Sequence, residues 1–423
     1  MHILLLSLNY YPDLLGNAPI LTGIAEGLAA RGHRVEVLCA HPHHEEGRVD
    51  PSYRGRAYVV EERAGVKIHR VWLSDPEGSL AAKAKSYLSF TFSAAAAALS
   101  RVDRPDLIFS PSPPLTLGLV DELLSRRWGV PYIYNLQDLF PEAPIRMGKI
   151  RRRSTIAFWR AMERRVLRQA AGLAVICEGF ADHAVALGVS RERIATIPNL
   201  TDCELIQPLP AAESPFRAPY RDEDCLFLFS GRWGHSQDLD GTLAEAWRLL
   251  KGEEALQLLL VGDGPERAKV EAAFAGQQRV SMKSTQPREL LPQLLAAADV
   301  GLAPLRSGLA STSVPSKILG IMAAGRPVIA AAEPGSDTAQ LIEEAGCGLT
   351  VTPESPRALA EAIETLSADP ARRVALGEAG RRAVLARYSA SVVVERYERF
   401  FEAIIAAAAG DQRPLRQLRG AAS

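Results

Sequence analysis

The chain opens on a short apolar run, Ile3 to Leu8, followed by the turn-rich stretch Asn9-Tyr10-Tyr11-Pro12-Asp13-Leu14-Leu15-Gly16-Asn17. Apolar residues then recur at helical spacing from about Pro19 to Ala30, Gly32 stops the helix, and Arg34 to Ala40 predicts a second strand. This βαβ opening lacks a GxGxxG loop, and its Gly16 reads either as a simple turn or as a point of close backbone approach to a ligand. Further strands are expected at Asp106 to Ser110, Tyr132 to Asn135 and Leu173 to Cys177, with a long alanine-rich helix from Ser79 to Leu99, and Ile194 to Leu200 closes this half. A linker composition at Pro208-Leu209-Pro210-Ala211-Ala212-Glu213-Ser214-Pro215 precedes a second series. Its strands fall at Leu226 to Ser230, Gln257 to Val261, near Val280, Val300 to Pro304 and Pro327 to Ala331, with helices around 240–251, 265–275, 289–297, 315–324 and 337–345. The alternation predicts an α/β protein of two doubly wound parallel sheets, 1–205 and 206–388. Three amphipathic helices follow at about 356–367, 370–387 and 389–409. The last is long enough to cross back onto the first domain, and 410–423 reads as a flexible tail.

Composition narrows this picture. The 423 residues are 47% hydrophobic and carry zero net formal charge, so no global charge draws the chain to nucleic acid. Five scattered cysteines without a CxxC pair suit a reducing compartment. The N-terminus lacks the marks of a signal peptide and no apolar run approaches a membrane span, which together predict a cytoplasmic protein. Charge is concentrated locally: Arg146, Lys149, Arg151, Arg152, Arg153, Arg160, Arg164, Arg165 and Arg168 are opposed only by Glu163, with Phe158 and Trp159 interleaved. No nucleic-acid fold motif accompanies them. Attraction to an anionic leaflet, at about 1 kcal/mol per basic residue, makes Arg151, Arg152, Arg153 and Trp159 candidates for membrane contact, against the plain reading of a solvated helix face. The Ser79 to Leu99 helix reads as a core helix packed through alanine rather than a membrane-surface helix. His41-Pro42-His43-His44 reads as a solvated loop rather than a metal site.

The most informative stretch runs from Ser313 to Ala330. Ser313 suits an N-cap, Pro315 the first turn and Gly325 the left-handed position that ends a helix, before the buried strand Val328 to Ala331. Lys317 in the first turn faces the positive end of the helix dipole, which is unfavourable unless an anion sits there. Lys317, the Ser313 and Ser316 hydroxyls and the free N–H groups therefore form a candidate phosphate or diphosphate site. At the end of the first strand of the second series, Ser230-Gly231-Arg232 places a glycine turn and an arginine suited to a diphosphate. Asp138, at the C-terminal end of the Tyr132 strand, is a candidate acceptor base or a strand-end cap. Asp238-Leu239-Asp240 imitates a DxD metal motif but is separated from its strand, and reads as a helix cap.

Collectively these residues resemble family 4 glycosyltransferases of the GT-B fold, over nearly the whole chain. The resemblance lies in the Tyr10 to Gly16 loop with Gly32-His33, Ile197-Pro198-Asn199, Ser230-Gly231-Arg232, Val261-Gly262-Asp263-Gly264-Pro265 and Pro315-Ser316-Lys317 through Gly325-Arg326-Pro327-Val328. Gln137-Asp138-Leu139 and the Pro-Ser-Lys run look most like the colanic-acid fucosyltransferase-like branch. The resemblance implies two Rossmann-like domains facing across a cleft, with Gly231, Arg232, Ser316 and Lys317 holding a nucleotide diphosphate and Gly16 approaching the donor. It further implies metal-independent transfer with retention from a UDP- or GDP-sugar to a saccharide or polyprenyl-diphosphate-linked acceptor, without a cofactor. Two departures stand out. Thr312 and Gly320 occupy the positions of the family's Glu-x7-Glu pair, and Gln237 lies near the place of a lysine. Glycine within a helix costs about 1 kcal/mol relative to alanine, so Gly320 suggests that something approaches closely there. A sugar-nucleotide epimerase and a non-catalytic partner subunit are the competing readings.

Overall fold

The computed structural model describes residues 1–13, 16–43, 48–75, 80–146, 148–308 and 316–415. The chain forms two compact units, Met1–Leu200 with Ala390–Ser423, and Thr201–Ser389. The first unit runs β1 (His2–Ser7), α1 (Ala18–Ala30), β2 (Arg34–Ala40), β3 (Tyr58–Arg63), β4 (Val66–Val71), α2 (Leu80–Arg101), β5 (Leu107–Pro111), α3 (Leu117–Trp128), β6 (Tyr132–Leu136), α4 (Glu142–Arg146), α5 (Arg153–Gln169), β7 (Gly172–Val175), α6 (Glu178–Ala186) and β8 (Ile194–Thr196). The second runs β9 (Cys225–Ser230), α7 (Ala244–Leu249), β10 (Leu256–Val261), α8 (Arg267–Ala273), β11 (Val280–Lys283), α9 (Leu291–Ala297), β12 (Val300–Pro304), α10 (Ser316–Ala323), β13 (Val328–Ala331), α11 (Asp337–Ala345), β14 (Gly348–Val351), α12 (Pro356–Ala368) and α13 (Pro370–Arg387). The chain then returns to the first unit as α14 (Ala390–Ala408).

The first sheet has the order β3-β4-β2-β1-β5-β6-β7-β8. It is parallel except at its edge, where β3 runs antiparallel to β4 with Tyr58 opposite Val71. That hairpin adds an antiparallel edge to the parallel sheet that the sequence predicts. It escapes a hydropathy reading because Tyr58-Val59-Val60-Glu61-Glu62-Arg63 is an edge strand with Val60 exposed. One face of this sheet carries Ile3, Leu5, Val35, Val37, Phe109 and Ile133, which pack with Leu21, Ile24 and Leu28 of α1 and with Val393, Val394, Tyr397, Phe400 and Phe401 of α14. Helices α1 and α14 approach closely because a side chain at Gly27 would meet Val394 at 2.6 Å. Beyond Gly410 the chain does not simply trail away: Leu415 packs against this same core.

The second sheet is wholly parallel, in the order β11-β10-β9-β12-β13-β14. Its four inner strands, β10, β9, β12 and β13, are continuous apolar runs buried on both faces, as parallel strands covered by helices must be. All five cysteines are free and buried. Among the described residues no helix is long and apolar enough to cross a membrane. Helix α2 packs on one side through Phe90, Ala94, Ala97 and Ala98, which are buried, whereas Leu88, Phe92 and Leu99 are exposed.

Candidate active site

In each sheet the strand order reverses at one place, between β1 and β5 in the first and between β9 and β12 in the second. Loops leaving the C-terminal ends of strands at such a switch point diverge and leave a crevice for ligands. In the second unit, those loops are Gly231 onward after β9 and the segment after β12 that leads into α10.

Gly231 sits at φ +144°, and its N–H donates to the Val261 carbonyl at 3.0 Å. Its neighbour Gly262, at φ +150°, is required, since a Cβ there would stand 1.9 Å from the Gly231 oxygen. Lys317, on the first turn of α10, reaches back to this turn: a Cβ on Gly231 would lie 3.2 Å from its Nζ. The amine lies 3.7 Å from the centre of the Phe229 ring and donates to Gln237 Oε1 at 2.8 Å. Enclosure by these groups disfavours the charged form and brings the Lys317 ammonium down to about 7. The structure thus joins Gly231 and Lys317, which are far apart in sequence.

Arg232 and Ser316 are both exposed, and among the described residues Arg232 has no hydrogen-bond or ion-pair partner. Gly320 is buried in α10, and a Cβ there would meet Leu295 and Ile206 only at 3.8 and 3.9 Å, ordinary van der Waals distances. Among the described residues, then, no protein atom requires a glycine at 320. Gly325 ends the helix at φ +68°, as the sequence predicts. Thr312, Ser313 and Pro315 lie outside the described residues.

Asp238 and Asp240 correct the capping expectation. Neither carboxylate caps the helix; both grip Arg306, at 3.0 and 2.8 Å, and Asp238 also takes the Thr242 hydroxyl. Backbone bonds from Asp238 to the Pro304 carbonyl (2.8 Å) and from Arg306 to the Ser236 carbonyl (3.2 Å) fasten the loop after β9 to the end of β12. The loop that carries Gln237 is thereby fixed. Gln237, near the place of the family's lysine, holds Lys317 instead, a contact that spans 80 positions and has no local sequence signal.

In the first unit, the loops after β1, β5 and β6 are tied together by Ser112. Its hydroxyl accepts from the N–H groups of Gln137 (3.0 Å) and Asp138 (3.2 Å), and its carbonyl accepts from Asn17 Nδ2 at 3.3 Å. Gln137 donates to Asn135 Oδ1 at 2.7 Å and to Asn199 Oδ1 at 2.9 Å, and Asn135 donates to the Tyr397 hydroxyl at 3.2 Å. Ser112, Asn135 and Tyr397 carry no local sequence signal for this network, because their partners lie 25 and 262 positions away. Asp138 is held by its backbone, while its carboxylate accepts no hydrogen bond among the described residues, so it caps nothing. The side chain reaches solvent in crowded surroundings, and partial desolvation pushes its carboxyl up to about 6. Gly16 lies at φ +62° in the turn before α1, where a Cβ would meet Asn9 Nδ2 at 3.6 Å.

The remaining candidates are placed differently from one another. His41 is buried with Nε2 2.8 Å from the Arg56 carbonyl, and His43 Nδ1 is 3.0 Å from the His41 carbonyl, so these two are structural rather than solvated. His44 lies outside the described residues. The basic stretch is opposed by more than Glu163: Arg160 pairs with Glu142 at 2.8 Å and Arg165 with Glu122 at 3.0 Å. Arg151, Arg152 and Arg153 remain exposed at the start of α5. Trp159 packs edge-on against Phe140 and Phe158, at ring separations of 5.0 and 5.2 Å, which leaves Phe158 the more exposed aromatic at 57%.

Comparison with known proteins completes this description. Residues 16–200 match the family model of a glycosyl transferase 4-like domain, and residues 224–369 that of glycosyl transferases group 1. The chain is 28% identical over 374 residues to WcaI of Escherichia coli (strain K12), named for glycosyl transfer in colanic acid biosynthesis, covering 86% of this chain and 91% of that one. It is also 28% identical over 312 residues to the glycosyltransferase WbjE of Pseudomonas aeruginosa, covering 70% and 74%. In fold it is similar to the sucrose-phosphate synthase of Thermosynechococcus elongatus, with TM-score 0.76, 20% identity and coverage of 96% and 100%. A second similar structure is HepE of Anabaena in complex with UDP, with TM-score 0.70, 17% identity and coverage of 95% and 100%. Two Rossmann-like units that match the two halves of one enzyme family, over most of the chain, place this protein among the family 4 glycosyltransferases of the GT-B fold.

Proposed function

We propose that the protein transfers a sugar from a UDP- or GDP-linked donor to a saccharide or polyprenyl-diphosphate-linked acceptor in surface polysaccharide synthesis, with retention of configuration. The observation that carries this reading is the Lys317 amine held at the switch point of the second unit, beside Gly231 and on the first turn of α10. The names of WcaI and the UDP in the HepE crystal support the substrate class. Charge that develops on the departing diphosphate would be met by Lys317, Arg232, the Ser316 hydroxyl and the start of α10, already oriented for it, so no step is assigned to a metal. In the first unit, Asp138 would orient the acceptor hydroxyl or receive its proton; a carboxyl titrating near 6 is ionised at neutral pH yet basic enough for the task. Lys317→Ala is expected to lower kcat/KM on the order of a hundredfold or more, with little change in melting temperature, when nucleotide release is followed over a panel of donors. Near-normal turnover would remove the diphosphate site.

The lipid-linked acceptor leads to a second part of the proposal, peripheral attachment to the inner leaflet. Arg151, Arg152 and Arg153 stand exposed beside Phe158, the arrangement of a basic and aromatic surface that meets anionic headgroups. At about 1 kcal/mol each, neutralising all three to glutamine should weaken binding on the order of a hundredfold. Flotation with phosphatidylglycerol vesicles measures this, and unchanged flotation of the triple variant would exclude the patch.

A further inference from the structure

We propose that Gln237 is a positioning residue that holds the Lys317 amine with an uncharged acceptor, so that the donor diphosphate supplies its counter-charge and donor binding draws a proton onto Lys317. This rests on the reading of the Lys317 pocket as the diphosphate site. Three contacts define the arrangement. Nζ donates to Gln237 Oε1 at 2.8 Å, faces the Phe229 ring at 3.7 Å, and abuts Gly231, whose missing side chain leaves that approach open. Gln237 itself is fixed by the bridge to Leu305 and by the Asp238–Arg306–Asp240 clamp.

The charged and titratable groups on the surrounding segments are otherwise committed or turned outward. Asp238 and Asp240 pair with Arg306, and Asp263 pairs with Arg267 at 2.8 Å. Glu354 and Glu333 accept from the N–H groups of Ser307 and Gly308. Arg232, His235 and Lys283 are exposed. Among the described residues no carboxylate lies within ion-pair distance of Lys317 Nζ. A lysine enclosed without an anion loses its proton readily, in keeping with the fall of Lys317 to about 7. A dianionic ligand restores the charged form, and by linkage the ligand binds with uptake of a proton at any pH above that value. The sign follows directly. Below neutrality Lys317 is already charged and donor binding is insensitive to pH; above it, affinity falls by up to tenfold per pH unit.

Calorimetric titration of the full chain with UDP-glucose and with GDP-mannose, at pH 8 in phosphate and in Tris, tests this. Neither donor's diphosphate titrates near neutrality, so the buffer dependence of the heat reports protons taken up by the protein. The expected result is uptake approaching one proton per donor bound, vanishing at pH 6. Gln237→Glu places a carboxylate on the amine; it should cut the uptake to less than half and weaken donor binding at least tenfold at pH 7. Gln237→Met, which offers no acceptor oxygen, should keep the uptake and lower kcat. Heats that are independent of buffer in the natural protein, or undiminished uptake in Gln237→Glu, overturn the role of Gln237. Lys317→Ala separates the two readings. If it binds donors as the natural protein does, or if neither donor binds the natural protein, the diphosphate site fails and this inference with it. If it weakens binding while the natural protein takes up no proton, only the inference about Gln237 fails.

Discussion

Glu36 is buried on β2 within reach of His2 (3.0 Å), Arg34 (2.5 Å), His69 (2.7 Å) and Lys67 (3.5 Å). Burial alone would raise its carboxyl, but the hydrogen bonds from His2 and His69, the Lys67 charge and the Arg34 contact prevail and hold it well below the usual carboxylate range. A carboxyl depressed in the folded state stabilises it above the unfolded value of about 4.3, and that contribution fades as the pH falls through and below it. Glu36→Gln should therefore destabilise the protein by about 3 kcal/mol at pH 7. The gap to the natural protein should narrow by about 1–2 kcal/mol at pH 3, as read from urea midpoints at the two pH values. None of this cluster was visible in the sequence. Its members come from three strands, and only the sheet register, with Leu4 and Lys67 both opposite Glu36, brings them together. The same holds at Lys317: its place in a first helical turn was legible because capping and dipole effects are local, whereas its neighbours Phe229 and Gln237 were not, because they arrive by tertiary folding.

Among the elements, α10 is the one whose placement matters most for the proposed chemistry, and it is held from its far end. Arg381 of α13 donates to the Ala323 carbonyl at 2.7 Å and to the Ile206 carbonyl at 2.8 Å. Gly377 lets α13 press against the turn that ends α10; a Cβ there would fall 2.1 Å from the Gly325 oxygen. Alanine is ordinarily the better helix former by about 1 kcal/mol, yet against a backbone oxygen it must push the helices apart. Gly377→Ala is accordingly expected to destabilise by about 1–3 kcal/mol, seen as a lower melting temperature of the full chain. The elements themselves were legible wherever an apolar run was buried on both sides, as in β9, β10 and β12. They were missed where a strand was short or half exposed, as in β14 and the β3–β4 hairpin. The basic stretch around α5 has only Glu163 to oppose it within its own sequence, because Glu122 lies 43 positions from its partner Arg165, on α3.

On the scale of the whole molecule, the first unit is discontinuous. Its sheet comes from Met1–Leu200, but the face bearing Ile3, Val35 and Phe109 is covered by α14 from the other end of the chain. The segments that enter and leave the second unit lie side by side, Thr201 bridging to Ser389 and its N–H donating to the Tyr388 carbonyl at 2.8 Å. Vectorial synthesis therefore completes the units out of order. The ribosome delivers everything the second one needs before it delivers Val393, Tyr397 and Phe401, so the earlier-born core waits with one side bare until Ala390–Ala408 emerges. A nascent chain stalled ahead of that helix presents its apolar flank to chaperones, and a premature stop codon just before α14 would damage the half of the protein that is translated earlier.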